Sequence, residues 1–223
     1  MGSIRILTCN LYNGGASPSV LAEVIAAAQP DVVAAQELGP DAAEVLTAAL
    51  PYGLVAPALN HTGKGIVLRH PGEVAIFPLP ARDGMRAVLS PDSWPGLGRE
   101  VELLNLHFAN PIDRPWKITR GIRRDQVAAV IRHAAVRSDP LIAVGDLNST
   151  PLWPAYRRLI RVMRDGVNDS GSTPRTWGPF WWFPRLLRID HVLVHGGVTV
   201  TTAQTIRIRG TDHSAVLVDV STT

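Results

Sequence analysis

The strongest constraint on this chain is where its short apolar runs stop. "ILTCN" ends at Asn10 and "VVAAQE" at Glu37. "LLNLHF" carries His107 near its end, and "LIAVGDLN" leads into Asp146 and Asn148. "RIDHVLV" begins beside Asp190, and "GTDHSAVLV" sets Asp212 and His213 just before the last run. Any one of these is an ordinary turn, because Asp and Asn favour turns. Six of them, all acid, amide or imidazole and all at strand ends, are hard to explain as turns. They point to one site assembled from the edges of sheets.

Periodicity gives the frame. Residues 4–9 and 31–35 are short apolar runs that read as strands. Residues 17–28 and 40–50 recur at helix spacing, with Pro18 suited to the first turn of the former. The middle is strand-rich: 65–68, 74–77, 86–89 and 100–108 are short runs broken by Pro and Gly. A long helix is expected over 116–136, a strand over 141–144 and a helix around 155–163. Residues 166–187 read as loop, and strands follow at 189–194, 198–208 and 215–220. No internal repeat, linker or low-complexity tract is visible. At 223 residues and 46% hydrophobic, the chain suits a single domain spanning 1–223. Two sheets covered by helices on their outer faces accommodate the pattern.

Composition excludes several classes. Cys9 is the one cysteine, so there is neither a disulfide framework nor a thiolate metal cluster, and within its apolar run it reads as a small buried hydrophobe. No run reaches the roughly 18 consecutive apolar residues of a membrane helix. No leader pattern opens the chain, since Arg5 and Asn10 interrupt it. The expectation is a cytoplasmic protein, or one whose targeting or membrane segment precedes this sequence. Net charge is +3, and only Lys64 and Lys117 are lysines, so the positive charge is nearly all arginine. Arginine forks suit phosphate and carboxylate, although a compositional bias gives the same count.

The residue types at the strand ends fit one chemistry. Asn10, Glu37 and Asp212 offer oxygen ligands without Cys or a His-x-x-x-His pair, which favours Mg²⁺ or Mn²⁺ over zinc. Histidines and further carboxylates remain for proton transfer. Phosphoester hydrolysis requires those parts: a metal at the phosphoryl oxygens, an activated in-line water and donors for developing charge. Asp146 is placed to take a proton from water, and Asn148 to hold that water or a phosphate oxygen.

The ordered set "TCN", "QE", "LHF", "GDLNSTP", "RIDHVLV" and "TDHSAV" resembles the endonuclease/exonuclease/phosphatase superfamily over nearly the whole chain, from Asn10 to His213. That superfamily contains deoxyribonucleases, apurinic-site endonucleases, neutral sphingomyelinases and inositol-polyphosphate 5-phosphatases. The resemblance implies an α/β (α+β) fold: a four-layered α/β sandwich of two mostly antiparallel sheets packed face to face, with helices on the outer faces. It also implies catalytic roles for His107, Asp146, Asn148, Asp190 and His213, and metal-site roles for Glu37, Asn10 and Asp212. Glu37 would be the principal ligand, His213 would contact the scissile phosphate with Asp190 orienting it, and His107 would stabilise phosphate charge from the other side. Apurinic-site endonucleases usually carry Tyr where this chain has His107, which favours the other branches. The Glu that partners this histidine in pancreatic-type deoxyribonucleases has no clear match here; Glu73 lies just beyond the corresponding stretch.

The expected activity is therefore a Mg²⁺- or Mn²⁺-dependent phosphodiesterase, a nuclease in first place, acting as a monomer on nucleic acid with no protein partner. The alternative is a phospholipid or inositol-phosphate phosphoesterase at a membrane surface, and a third reading is a non-catalytic nucleic-acid-binding module. "GPFWWFPRLLR" bears on this choice. Trp181, Trp182 and Phe183 could stack on bases, dip into a membrane or cap the sheets, while Arg185 and Arg188 suit an anionic surface; the resemblance also implies a Thr-Trp pair near the site, matched here by Thr176 and Trp177. Lys64 in "HTGKG" and Arg86 in "GMRAVL" are candidate phosphate contacts. The arginines of 116–137, with Arg157, Arg158, Arg161 and Arg164, form either a solvated face or a phosphate-tracking one.

Overall fold

The computed structural model describes residues 3–95 and 97–222; Met1, Gly2, Gly96 and Thr223 lie outside the described residues. The chain opens with β1 (Ser3–Asn10), α1 (Pro18–Ala28), β2 (Val32–Gln36), α2 (Pro40–Ala49), β3 (Tyr52–Ala56) and β4 (Lys64–Leu68). Next come β5 (Glu73–Phe77), β6 (Gly84–Leu89), β7 (Val101–His107), α3 (Trp116–Ala135) and β8 (Leu141–Asp146). The last third holds α4 (Pro154–Leu159), β9 (Arg164–Asp165), α5 (Gly166–Asp169), β10 (Asp190–His195), β11 (Val198–Arg207) and β12 (Ser214–Thr222).

The strands form two six-stranded sheets, ordered β11-β12-β1-β2-β4-β3 and β5-β6-β7-β8-β10-β9. Each has one parallel pair at its centre, β1 with β2 and β7 with β8, and the other pairings are antiparallel. A helix bridges each parallel pair, as parallel strands require. The two halves thus share a topology although no repeat is visible in the sequence. Across the interface β1 faces β8, and β2 faces β7 and β8.

Three apolar layers hold the sandwich together. Between the sheets pack Ile4, Ile6, Val32, Ala34, Leu103, Ile142, Val144, Val192 and Val218, among others. Outside the first sheet, Leu21 and Ile25 of α1 and Leu46 of α2 cover Leu7, Val33 and Leu217. Outside the second, Val127 and Val130 of α3 and Leu159 of α4 cover Leu104, Leu106 and Leu193. Helix phase explains the fit: Leu21, Ile25 and Ala28 fall on one stripe of α1, which begins at Pro18 and ends where Gln29 turns left-handed (φ 46°). Cys9 packs in the first outer layer as expected, and burial pushes its thiol up to about 12. Among the described residues, no helix is long and apolar enough to cross a membrane.

Side chains alternate faces along a strand, and the inward series change character toward one end. On β1 the series runs Ile4, Ile6, Thr8, Asn10; on β2 it runs Val32, Ala34, Gln36. On β7 it runs Val101, Leu103, Asn105, His107, and on β8 Ile142, Val144, Asp146. The antiparallel β10 contributes the same gradient reversed, Val194, Val192, Asp190. Just above the apolar layer, Gln36 Nε2 donates to Asn105 Oδ1 (2.6 Å) and Thr8 Oγ1 (3.1 Å), tying one sheet to the other. Asn105 Nδ2 donates in turn to the carbonyls of Ala35 (2.8 Å) and Gly65 (3.0 Å). Above this polar layer lies the site.

Candidate active site

A cavity of about 400 Å³ opens where β1, β2, β7 and β8 end and β10 and β12 begin. Glu37, Asp146, His107, Asp212 and His213 line it. Glu37 follows β2 directly with φ at 51°, a left-handed conformation that an L-residue adopts at a cost. The Asn13 amide fixes one carboxylate oxygen (2.9 Å) and Asn10 Nδ2 the other (3.1 Å). The same Asn10 amide reaches Asp146 Oδ2 at 3.1 Å, so one side chain holds two carboxylates together. Its oxygen is occupied by the Tyr12 amide (2.9 Å). Asn10 therefore stands behind the carboxylates and positions them.

Asp146 is still in β8, which runs two residues further than the apolar run suggested. The preceding Gly145 has φ at 124°, and a Cβ there would come within 2.1 Å of the Leu106 carbonyl, so no other residue fits without moving β7. Asn148, also left-handed (φ 46°), donates its backbone N–H to Asp146 Oδ1 (2.7 Å) and its Nδ2 to Oδ2 (3.1 Å). Burial pushes the Asp146 carboxyl up to about 7, with Asp190 and Glu37 adding to the rise and His213 opposing it.

His213 faces this carboxylate, with Nε2 3.9 Å from Asp146 Oδ2 and equally far from Asp212 Oδ1. Its Nδ1 bonds to Asp190 at 2.9 Å, and Asp190 is itself fixed by Thr176 Oγ1, which accepts its backbone N–H (3.1 Å). Burial alone would lower the imidazole's pKa. The carboxylates of Asp190, Asp146 and Asp212 outweigh it and raise the pKa to about 10, so His213 is a cation at neutral pH. Asp212 receives the Trp177 indole N–H at 2.9 Å, and its other oxygen is buried without a hydrogen-bond partner.

His107 is held differently. Arg82 Nη1 lies 3.2 Å from its Nε2, and the His61 carbonyl 3.2 Å from its Nδ1. A guanidinium can only donate and a carbonyl only accept, so Nδ1 carries the proton and Nε2 a lone pair. Burial, then the positive charges of Arg82 and His213, push its pKa well below 6.5 and keep it neutral. The carbonyl of His61 takes the place of the acidic partner sought in Glu73. His107 thus presents no N–H toward a phosphate; the cation on this side is Arg82, which also binds Asp113 (3.3 Å).

The match with the Endonuclease/Exonuclease/phosphatase family model runs over residues 7–213. The chain belongs to this family. Its members are divalent-metal-dependent hydrolases of phosphoesters. Among solved structures it is similar to the endonuclease/exonuclease/phosphatase from Bacteroides vulgatus (19% identity, TM-score 0.78, all of both chains covered). It is also similar to a humanized D. rerio TDP2 (20%, 0.76, 99% of each chain). A third is the human Nocturnin catalytic domain with bound sulfate anion (18%, 0.72, 99% of this chain and 95% of that one). At these identities the likeness is one of fold. Among curated proteins none matches.

The residues present fit the metal that the family implies. Ligand atoms of Glu37, His107 and Asp146 all lie within 4.8 Å of one another. His107 Nε2, whose lone pair faces Arg82 Nη1 at 3.2 Å, is also 3.5 Å from Glu37 Oε1 and 3.6 Å from Asp146 Oδ2. Carboxylates outnumber cations around the cavity, so alone it would repel a phosphodiester, and a divalent cation offsets that excess. Asp212, expected among the ligands, lies outside this trio and beside Trp177 and His213.

Four further expectations meet different surroundings. Arg86 pairs with outward-facing Leu104, so it projects from the outer face of the second sheet and does not line the cavity. Lys64 is outside the lining too, its ammonium bound to the Asp83 carbonyl (2.8 Å). Trp177 lines the cavity, but Trp181 and Trp182 are exposed beyond it, Trp182 stacked on Phe180 and Trp181 under Arg209. Arg185 and Arg188, expected at an anionic surface, are each only 8% exposed. Arg185 donates to the carbonyls of Thr211 (3.0 Å) and His213 (2.7 Å) and so fixes the Asp212–His213 loop. Arg188 pairs with Asp165 at 2.6 Å. Sequence reasoning missed Arg82 and Asn13, and it met His61 only within "HTGKG" and Arg123 only among the arginines of 116–137; Arg123 is buried under the loop that carries Asn148 and donates to that residue's carbonyl (3.0 Å).

Proposed function

We propose that this protein is a nuclease, hydrolysing a phosphodiester bond of nucleic acid by in-line attack of water with Mg²⁺ or Mn²⁺. The observation that carries the reading is the opposition, across one cavity, of the Glu37–His107–Asp146 cluster and the Asp190–His213 ion pair. Glu37 would hold the ion, with Asp146 and His107 within reach to complete its site. When bound, the ion polarises the phosphoryl oxygens and lowers the pKa of water. Asp146 accepts the attacking water's proton, and Asn148 and Asn10 fix the direction of its lone pairs. His213, charged and oriented by Asp190, donates from Nε2 to the phosphate as negative charge develops. Arg82 supplies the second fixed positive charge.

The test is a panel of labelled single-stranded and duplex DNA and RNA with bis(p-nitrophenyl) phosphate, each with Mg²⁺, Mn²⁺ or EDTA. Metal-dependent cleavage is expected, reduced about 10³-fold or more in Asp146→Asn and His213→Ala. Absence of metal-dependent turnover on every nucleic acid refutes the nuclease reading. One observation favours a second reading, a phospholipid phosphoesterase: exposed Phe180, Trp181, Trp182 and Leu186 adjoin Leu187, which lines the cavity. It requires hydrolysis of vesicle lipid that falls when both tryptophans are replaced.

A further inference from the structure

A second cleft of about 310 Å³ adjoins the catalytic cavity and shares Pro111 and Trp153 with it. It lies between α3 and α4, and Arg120 and Arg124 enter from one helix and Arg158 from the other. No carboxylate lines it. Among the described residues, Arg120 and Arg158 have no hydrogen-bond or ionic partner, and Arg158 is half-buried in this state. Arg123, buried at the floor of the same cleft, is committed to backbone carbonyls, and half-buried Arg5 elsewhere is committed to Asp219. Arg124 is paired with the exposed Asp125 (3.0 Å), which leaves Arg120 and Arg158 gathered without a counter-charge of their own; that is unfavourable, and an anion relieves it.

The same surface continues around the start of α3, where Pro111 and Arg120 join Arg114 and Trp116. Arg114 lies over the Trp116 ring (5.4 Å to its centroid), and both Trp116 and Trp153 expose ring surface. Arginines interleaved with exposed aromatic rings suit a backbone of phosphates whose bases are free to stack. Neither Trp181 nor Trp182 borders either cleft.

We propose that this cleft is a second phosphate subsite, which holds the strand of a single-stranded oligonucleotide one or more nucleotides away from the scissile bond. The proposal rests on the nuclease reading and adds to it a direction: the strand leaves the catalytic cavity over Pro111 and Trp153, toward α3 and α4. A small diester reaches the catalytic cavity alone, whereas an oligonucleotide reaches both.

The experiment compares wild type with the double variant Arg120→Glu/Arg158→Glu, both sites being on the surface of helices. Two readouts are taken: anisotropy of a labelled single-stranded oligonucleotide in EDTA, and the ratio of kcat/KM for that oligonucleotide to kcat/KM for bis(p-nitrophenyl) phosphate. The expected results are at least 10-fold weaker binding, and a ratio at least 10-fold lower, mostly through KM. The slope of log affinity against log salt should shrink by about 1.4, the value for two phosphate contacts on a single strand. Unchanged oligonucleotide binding, or equal losses on both substrates, overturns the subsite. Loss of binding to phosphoinositide vesicles with the oligonucleotide unaffected overturns it in favour of a lipid headgroup. If wild type turns over no phosphodiester, the nuclease reading fails, while the binding comparison still decides the subsite.

Discussion

Arg188→Met separates a buried structural ion pair from a substrate contact. Arg188 and Asp165 meet at 2.6 Å, with side chains 7% and 6% exposed. Removing one partner of such a pair leaves an uncompensated buried charge, which costs about 3–5 kcal/mol. Asp165 keeps two donors, the Tyr156 hydroxyl and the Asn168 amide (3.1 Å), so the lower end of that range, about 3 kcal/mol, is expected. For a chain of this length each kcal/mol moves Tm by roughly 2–4 °C, giving a fall of about 6–12 °C in a calorimetric scan at pH 7.5. Asp165→Asn added to Arg188→Met removes the stranded charge, so the double variant should recover about 1–2 kcal/mol relative to additivity. At temperatures where Arg188→Met is folded, its KM for oligonucleotide should match wild type. A Tm within 2 °C of wild type together with a raised KM would refute the reasoning and return Arg188 to the anion-binding role its sequence context suggests.

Three other perturbations test the site and its support. Asp190→Asn removes the charge that outweighs burial at His213, so the imidazole's pKa falls from about 10. The alkaline limb of the kcat/KM–pH profile should move to lower pH, with a loss of about 10²–10³ at pH 8; an unmoved limb excludes this role. Glu37→Gln should raise the Mg²⁺ concentration for half-maximal activity about 10-fold or more, measured by metal titration, and an unchanged midpoint excludes Glu37 as the principal ligand. His191 is buried and bonds to the Ser149 carbonyl (2.7 Å); burial and then Arg188 push its pKa down to about 4. The unfolded chain, titrating near 6.5, binds more protons between these values, so the stability from neutral His191 is present above about pH 6.5 and lost as pH falls through 4. Buried His107 shifts the same way, so His191→Gln should flatten, without abolishing, the fall in Tm from pH 6.5 to 4; identical slopes count against it.

The elements with long apolar patterns are legible in the sequence, and those that depend on partners are not. α1, α2 and α3 and the central strands follow from periodicity because each buries a face in one of three apolar layers. β3 was missed: it is an edge strand with exposed side chains, and its Gly53 lies against β4 so closely that a Cβ would meet the Ile66 carbonyl at 2.2 Å. β9 and α5 are two and four residues long, too short for any period, so residues 166–169 read as loop. The helix expected around 155–163 ends at Leu159, where the chain turns into β9. In the site, residue type was enough to single out Glu37, Asp146, Asp190 and His213. It could not show Arg82, which arrives from the turn "PARDG" and reaches the cavity and His107 only in the fold. Charge misled at Arg185 and Arg188, since a lone arginine in a sequence gives no sign of the carbonyls or carboxylate that allow its burial.

The alternation that builds the inter-sheet core also aims the catalytic groups. Asn10, Asp146 and Asp190 occupy the next inward positions after Thr8, Val144 and Val192, so each is directed by the strand that carries it and needs no loop to place it. A one-residue slip of β8 would turn Asp146 toward α3 and α4 and bring Gly145 to the cavity, which is why register and activity stand or fall together. Beyond the strand ends the chain accepts strain to finish the arrangement: Glu37 and Asn148 are left-handed without being glycine, at a cost on the order of 1 kcal/mol or more each. Glu37 is held by the Asn13 amide at the cavity's edge, and Asn148 from beneath its loop through Arg123. The buried carboxylates add a further cost, visible in Asp146's raised pKa, which a bound divalent cation offsets. Stability is therefore spent at one end of the sandwich, and the all-apolar inner faces of the other end are what make that arrangement tolerable.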